Sequence, residues 1–277
     1  MRWSIEAAGR AADPPVHAMV VRRFGAGPEI VWLHGLGEQS RSLDPIASHP
    51  ALAAWSHVLV DLPGYGRSPW PDHAGAAPDD LEQLAGRLAA WIDAGSGAGS
   101  GAGSGDRCPV LIGQSMGGVL ATLIAERIAV RAVIDVDGNL SPGDCTHSAQ
   151  AAAYSLDDFL AHGFAAMRAE VYEAGRTEPA LRSYHAAMAM ASPRVFHHHA
   201  HQLVELSAPG TLATRLAALR APVLFIAGVP GGICEHSRAL LDRHGVRWIG
   251  IAPAGHWVHI DQPDRFAAAV AEFLRAL

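Results

Sequence analysis

Short apolar segments alternate with amphipathic segments along most of this chain. The apolar segments are rich in Val, Ile and Leu and bounded by turn residues, and they comprise Ile30–Leu33, His57–Val60, Pro109–Ile112, Ala132–Val136, Pro222–Ala227 and Arg247–Ile251. Such runs are typical of strands buried on both faces of a parallel sheet. Helical spacing of apolar positions is found between them, over Asp79–Ile92, Met116–Ile128, Glu235–His244 and Pro263–Leu277. The alternation predicts an α/β fold with a doubly wound, mostly parallel sheet, opened by an antiparallel pair at Trp3–Ala8 and His17–Phe24.

Two intervals break this alternation. Residues 140–215 carry helical patterns and no convincing buried strand, which predicts a helical cap inserted into a core formed by residues 1–139 and 216–277. The alternative for this interval is a pair of extra helices that flank the sheet. Residues 95–105 read GSGAGSGAGSG, a composition typical of a flexible linker. The linker precedes the strand predicted at Pro109–Ile112, so we expect it at the end of the sheet away from the chemistry.

Composition and charge exclude several classes of protein. Hydrophobic residues at 49% and charged residues at 17% indicate a globular chain, and a formal charge of −6 without a basic run argues against a nucleic-acid partner. We expect no membrane partner, because no stretch has the length and apolarity of a membrane span. Three scattered cysteines predict neither a disulfide framework nor a zinc site, and we expect no metal and no cofactor. The expectation is a cytoplasmic monomer or homodimer.

The strongest chemical signal is the sequence GQSMGG at 113–118. It follows a predicted buried strand and precedes a helical pattern, and it places Gly113 and Gly117 on either side of Ser115 in a G-x-S-x-G arrangement. A sharp strand-to-helix turn needs these small residues and exposes the serine hydroxyl at a helix N-terminus, where developing negative charge is favoured. The pattern predicts that Ser115 is a nucleophile.

A second glycine-rich loop, HGLG at 34–37, directly follows the first buried run of the core. A backbone N–H from such a loop can point into the site, so Leu36 and Met116 are the predicted oxyanion-hole donors. We expect His34 to hold this loop by hydrogen bonds. Asp61, which begins the loop DLPGYGRS at 61–68, is expected to brace the site and not to act as a catalytic acid.

The predicted general base is His256. It lies just after the last buried run and before the terminal helix, where a histidine can reach Ser115 in space although it is distant in sequence. The order of serine first and histidine last is that of the α/β hydrolases. His259 is the nearest competitor.

These motifs together resemble the α/β-hydrolase superfamily over almost the whole chain. The matching segments are HGLG at 34–37, DLPGYGRS at 61–68, GQSMGG at 113–118 and GHW at 255–257. The resemblance implies a sheet-based fold with a serine, histidine and acid triad. It implies little about the substrate, because this fold hosts many chemistries.

The acid of the triad departs from the usual pattern. The family usually carries it after the strand predicted at Pro222–Ala227, but the following loop contains no Asp and only Glu235. Some relatives, including haloalkane dehalogenases and zearalenone hydrolases, carry the acid one strand earlier, which here is the position of Asp137. We therefore predict Asp137 as the acid, with Glu235 and Asp135 as alternatives.

The predicted activity is cleavage of a carboxylic ester or lactone of apolar character through an acyl-enzyme. A serine at position 115 disfavours dehalogenase and epoxide hydrolase chemistry, since those relatives use an Asp nucleophile. Three alternatives remain: carbon–carbon bond hydrolysis or lyase chemistry, acyl transfer, and a small-molecule receptor with a vestigial triad.

The predicted cap contains features with two interpretations. The histidines at 197, 198, 199 and 201 suggest a metal site by type, but they lack nearby carboxylates, and a solvated or packing role is favoured. Trp257 and the aromatic and methionine side chains of the cap are candidate pocket walls, and most of the latter are expected in the core: Met167, Met188, Met190, Tyr154, Tyr184, Phe159, Phe164 and Phe196.

Overall fold

The computed structural model describes residues 2–7, 18–71, 75–95 and 108–277. Within these residues, eight strands form one sheet in the order β1-β2-β4-β3-β5-β6-β7-β8. The strands are β1 (Arg2–Ala7), β2 (Ala18–Gly25), β3 (Glu29–Leu33), β4 (Ser56–Asp61), β5 (Val110–Gln114), β6 (Ala132–Val136), β7 (Val223–Gly231) and β8 (Trp248–Gly255). β1 and β2 run antiparallel to their neighbours, and β3 to β8 are parallel. The predicted α/β fold and its antiparallel opening pair are confirmed.

Helices connect and cover the strands. In chain order they are α1 (Asp44–Ala47), α2 (Leu81–Gly95), α3 (Met116–Ala125), α4 (Thr146–Ala152), α5 (Leu156–Asp158), α6 (Phe164–Ala174), α7 (Pro179–Met188), α8 (Pro193–Ser207), α9 (Leu212–Ala217), α10 (Glu235–His244), α11 (Val258–Asp261) and α12 (Pro263–Arg275). The start of α2 differs from the predicted Asp79 because Asp80 lies just before the helix and caps it. Its carboxylate accepts from the backbone N–H of Gln83, whose own side chain accepts from the N–H of Asp80.

The two faces of the sheet bury separate apolar clusters. The larger cluster joins β-strand side chains such as Val31 and Leu111 to α2, α3 and the helices of residues 140–215. The smaller cluster packs the opposite side chains, among them Trp32 and Ile134, against α1 and α12. Burial on both faces explains why the parallel strands read as continuous apolar runs in the sequence.

Between β6 and β7 the described chain contains helices and no strand, as the sequence predicted for this interval. The division into a core and a cap at residues 140–215 stays a prediction. Of the glycine-serine segment, Gly95 ends α2, and residues 96–105 lie outside the described residues. Among the helices that are described, none is long and apolar enough to cross a bilayer.

Candidate active site

Ser115 occupies a strained turn between β5 and α3. Its backbone has φ 55° and ψ −120°, which is unusual for a residue with a side chain. Both flanking glycines are required by close backbone approach: a Cβ atom on Gly113 would lie 2.0 Å from the carbonyl oxygen of Gly117, and one on Gly117 would lie 2.1 Å from that of Leu33. The Ser115 N–H donates to the carbonyl of Val136 at 2.9 Å, which ties the turn to the next strand.

One cavity at this end of the sheet is lined by both Ser115 and His256. Its volume is about 30 Å³, which is room for about two water molecules. His256 directly follows β8, and its backbone carbonyl accepts from Nε2 of Gln114 at 3.4 Å. The structure therefore brings together the predicted nucleophile and the predicted base, although they are distant in sequence.

The surroundings of the His256 ring favour its unprotonated form. Burial and, to a smaller extent, the nearby His147 lower its pKa to about 4, with Asp144 partly opposing both effects. His256 is therefore neutral at pH 7. Among the described residues, none forms a side-chain hydrogen bond with the ring, and such bonds in unliganded sites are often long until a substrate binds.

The loop at 34–37 lies beside the nucleophile. Leu36 lines the cavity, and Met116 is the first residue of α3. The described residues include no acceptor for the backbone N–H of either one, so both donors remain free for a ligand. His34 fixes the loop as predicted: its Nε2 accepts from the N–H of Leu62 at 3.0 Å, and its Nδ1 pairs with the carbonyl of Gly35 at 2.9 Å.

Asp137 lies at the end of β6, fully buried, with φ 47°. Each of its carboxylate oxygens accepts one backbone N–H from the segment at the end of β7: Gly228 at 2.9 Å and Ile233 at 3.1 Å. Burial raises the pKa of Asp137, and these two hydrogen bonds oppose the rise. No hydrogen bond joins Asp137 to His256 within the described residues. The contacts of Asp137 are therefore with the backbone.

The alternatives to these residues lie elsewhere. Glu235 is exposed and begins α10, the position where a helix favours an acid. Asp135 is buried behind the turn and accepts from the Gly138 N–H at 2.9 Å, and burial raises its pKa to about 8. Asp61 accepts from the backbone N–H of Ser40 and of Arg67, so it braces two loops as predicted. His259 packs against Phe266 and does not line the cavity.

Sequence reasoning missed several polar residues of the cavity, namely Glu38, Asn139, Asp144 and His147. Glu38 is buried; it accepts from the N–H of Gly35 at 3.2 Å and from Nε1 of Trp257, and burial raises its pKa to about 7. Its position one residue after the HGLG loop was a usable signal. Asp144 ends a short helical turn after β6, and His147 lies in the first turn of α4. Nothing in their sequence spacing places them in the cavity.

Aromatic residues behave largely as expected. Trp257 lines the cavity, and so does Tyr184, whose ring centroid lies 5.1 Å from that of Trp257. The other side chains of residues 140–215 that were candidate pocket walls do not line the cavity. Of these, Phe159, Phe164 and Phe196 belong to the larger apolar cluster.

Two of the four histidines of α8 serve the packing of that helix. His199 pairs with the hydroxyl of Tyr65 at 2.9 Å and the carbonyl of Asp79 at 3.1 Å, and His197 pairs with the carbonyl of Tyr154 at 3.0 Å. Over the described ranges, no cluster of three or more His, Cys, Asp or Glu side chains is arranged to hold a metal ion.

The parallel sheet, the strained serine turn and the late histidine define a class of protein. The model of the Alpha/beta hydrolase family matches residues 30–269, so the chain belongs to this family.

Curated relatives match a smaller part of the chain. One is a pimeloyl-[acyl-carrier protein] methyl ester esterase of Aeromonas hydrophila, which is 39% identical over 106 residues, covering 38% of this chain and 35% of that relative. A similar alignment links the chain to the protein of the same name in Shewanella oneidensis, with 31% identity over 39% of this chain and 34% of that relative. The chain thus matches about a third of the length of these relatives.

Solved structures resemble the whole chain. A thermophilic esterase of Thermogutta terrifontis has a TM-score of 0.76 at 20% identity, covering 100% of this chain and 99% of that one. An enol-lactonase of Burkholderia xenovorans LB400 has a TM-score of 0.74 at 20% identity, covering 94% of this chain and 97% of that one. At this level of identity the likeness supports the fold alone.

Proposed function

We propose that this protein is a serine hydrolase that cleaves a carboxylic ester or lactone through an acyl-enzyme. The observation that carries the proposal is the strained turn of Ser115, which shares one cavity with the neutral imidazole of His256. The names of the relatives, a methyl ester esterase among them, favour ester bonds as the target within a family that performs many reactions.

In the proposed mechanism, the Ser115 hydroxyl oxygen attacks the ester carbonyl while His256 removes its proton. The carbonyl oxygen becomes an oxyanion that accepts from the backbone N–H groups of Leu36 and Met116. Collapse of this intermediate breaks the ester bond, and His256 donates its proton to the departing alcohol. Water, deprotonated by His256, then attacks the acyl-enzyme and releases the carboxylic acid, returning the proton to Ser115.

Asp137 is proposed as the acid of the triad. It follows β6, which is adjacent in the sheet to β5, the strand that leads into Ser115. Its buried carboxylate is held by the N–H of Gly228, in the part of β7 that pairs with β8, and by the N–H of Ile233 just after β7. His256 follows the end of β8. In this role, the Asp137 carboxylate would support the His256 ring and stabilise the imidazolium that forms during the reaction.

The helices of residues 140–215 are proposed to form a cap over the site. This proposal is supported by three residues of these helices that line the cavity, His147, Tyr184 and Leu203. A cytoplasmic location remains part of the proposal, supported by the three unpaired cysteines Cys108, Cys145 and Cys234.

Covalent labelling tests the function without knowledge of the natural substrate. A fluorophosphonate probe should modify the native protein at Ser115, and the Ser115→Ala variant should remain unlabelled while keeping its thermal midpoint. The His256→Gln variant should label at least about 100-fold more slowly, because the serine loses its base. A native protein that binds small esters but is not labelled would show a receptor and overturn the proposal.

A further inference from the structure

Two buried acceptor atoms in the cavity have no hydrogen-bond donor. Gln114 and Asn139 both line the cavity and are 2% and 4% exposed. The side-chain oxygens of both, Oε1 and Oδ1, have no hydrogen-bond partner among the described residues. Buried acceptors without a donor are costly, and native proteins retain few of them. Their place beside the nucleophile indicates that a ligand supplies the donors.

The orientation of both amides is determined by their nitrogen atoms. Nδ2 of Asn139 donates to the carbonyl of Asp144 at 3.1 Å and to the sulfur of Cys145 at 3.6 Å. Nε2 of Gln114 donates to the carbonyl of His256 at 3.4 Å. Rotating either amide by 180° would place its oxygen against a carbonyl oxygen, so the unpaired oxygens are the atoms left for a ligand.

The charges on the cavity wall favour the same kind of ligand. Glu38 and Asp144 contribute two carboxyl groups, and the described lining residues include no Arg or Lys. The oxygens of Asp144 already accept from the backbone of Leu140, Ser141 and Cys234, so this group is saturated. A wall of this composition attracts hydrogen-bond donors and disfavours an acyl group that carries its own carboxylate.

We propose that the substrate is an ester of a short hydroxyacyl group, whose hydroxyl donates its one hydrogen bond to the unpaired Oε1 of Gln114 and leaves Oδ1 of Asn139 to a second donor of the ligand. The acyl group stays on Ser115 through both steps while the alcohol leaves, so acceptors beside Ser115 act best on the acyl part. Gln114 directly precedes Ser115 in the chain, so a hydroxyl that reaches its side chain is expected close to the acyl carbonyl. This inference rests on the proposed ester hydrolysis and replaces the apolar substrate expected from the sequence.

Two isosteric esters test the inference. Methyl glycolate and methyl propanoate differ by a hydroxyl in place of a methyl group, and pH-stat titration gives kcat/KM for both. Each value is divided by the rate constant of the same ester with hydroxide, which removes the difference in intrinsic reactivity. We expect the corrected ratio to favour glycolate by about 10-fold or more, since a site built for a hydroxyl rejects an analogue without it.

A matched pair of variants locates the effect. Gln114→Met removes the acceptor with little change in volume, and the corrected preference should fall to about 3-fold or less. Gln262→Met is the control: its side chain likewise donates to a backbone carbonyl, that of Pro253 at 2.8 Å, but it does not line the cavity. This control should keep the full preference.

A binding measurement separates this inference from the proposed function. Dissociation constants of both esters with the Ser115→Ala variant, measured by NMR titration, should show the same preference without turnover. Equal corrected ratios, or a preference that Gln114→Met leaves unchanged, overturns the hydroxyacyl inference while ester hydrolysis stands. Preferential binding of methyl glycolate by a native protein that hydrolyses neither ester and is not labelled by the fluorophosphonate supports recognition of the hydroxyl and overturns the proposed function.

Discussion

Ser115 and Asp137 both lie in turns with positive φ, but one side chain faces the cavity and the other is buried. Both follow adjacent parallel strands, β5 and β6, and they are the two residues other than glycine with positive φ in the described chain, at 55° and 47°. Ser115 is partly exposed on the cavity and has no side-chain hydrogen bond to another described residue. Asp137 is fully buried, and both of its oxygens are occupied by backbone N–H groups.

The difference shows that one turn type can present a reactive group or bury a supporting one. Ser115 is held through its backbone, by the close packing at Gly113 and Gly117 and by its N–H on Val136, so its hydroxyl stays free to react. Asp137 is itself a structural hydrogen-bond centre that fixes the end of β7. We therefore expect replacement of the Ser115 side chain to affect activity alone, and replacement of the Asp137 side chain to affect activity and stability together.

The largest expected combined effect on activity and stability comes from replacing Asp137. In Asp137→Asn an amide nitrogen would face the N–H of Gly228 or Ile233, so one hydrogen bond is lost and two donors oppose each other. We expect kcat to fall by about 10³-fold and the free energy of unfolding to fall by about 2 kcal/mol. Ester hydrolysis and urea denaturation measure the two effects.

Ser115→Ala and Glu235→Gln are the matched controls for this experiment. Ser115→Ala should abolish activity and change the free energy of unfolding by less than about 0.5 kcal/mol. Glu235 is exposed, so Glu235→Gln should leave kcat within about 2-fold of the native value. A nearly native kcat for Asp137→Asn, together with an inactive Glu235→Gln, would instead assign the acid to Glu235.

Replacing a glycine by alanine should destabilise the two turns by different amounts, and this is a smaller effect. A Cβ on Gly117 would meet the backbone oxygen of Leu33 at 2.1 Å, whereas one on Gly138 would meet the side chain of Asp135 at 2.2 Å. A side chain can rotate away and a sheet backbone cannot. We expect Gly117→Ala to lower the free energy of unfolding by about 3 kcal/mol and Gly138→Ala by about 1 kcal/mol.

Gly86 in α2 provides the reference for these glycine variants. A Cβ there would have a single neighbour, Arg127, at 4.0 Å. Gly86→Ala should therefore raise the free energy of unfolding by about 0.5 kcal/mol through helix propensity. Equal losses for Gly117→Ala and Gly138→Ala in the same denaturation series would show that the two turns are equally rigid.

The smallest expected effect is a pH dependence of stability and of kcat/KM. It arises from Glu38, which lines the same cavity as Ser115. Burial raises the pKa of Glu38 to about 7 from 4.5, so the folded protein holds its proton more tightly than the unfolded chain. Its contribution to stability is present below pH 4.5 and is lost as the pH rises through 7. Above pH 7 the ionised carboxylate also places negative charge near the forming oxyanion, so kcat/KM should decline there by a few-fold.

Glu38→Gln removes this titration. The difference in free energy of unfolding between Glu38→Gln and the native protein should grow in favour of the variant from pH 4.5 to 7. The buried Asp135 and Asp137 titrate in both proteins and cancel in the difference. A decline of kcat/KM above pH 7 that persists in Glu38→Gln would show that another group causes it.

Much of the fold could be predicted because parallel strands are buried on both faces. The predicted Ala132–Val136 strand and the Glu235–His244 helix coincide with β6 and α10. Other strands and helices begin or end at residues different from those predicted, because their ends depend on contacts such as the Asp80 cap of α2. Ser115 and His256 could be placed in one site because both follow parallel strands, whose carboxyl ends lie at the same edge of the sheet.

The other polar residues that line the cavity could not be predicted from the sequence. Asn139, Asp144 and His147 reach the cavity through the path of the chain after β6, which no periodicity encodes. The raised pKa of Glu38 and the lowered pKa of His256 likewise come from burial among residues that are distant in sequence.

The sequence by itself determined the order of strands and helices, the serine turn and the late histidine, because these depend on local spacing and on glycine where a Cβ would collide. Only the tertiary structure decided which polar atoms share the cavity, that the two oxygens of Asp137 are held by backbone, and that two amide oxygens are left without donors. These properties arise where segments far apart in the chain exclude water together, and burial then sets both the charge and the hydrogen-bonding capacity of the groups that remain.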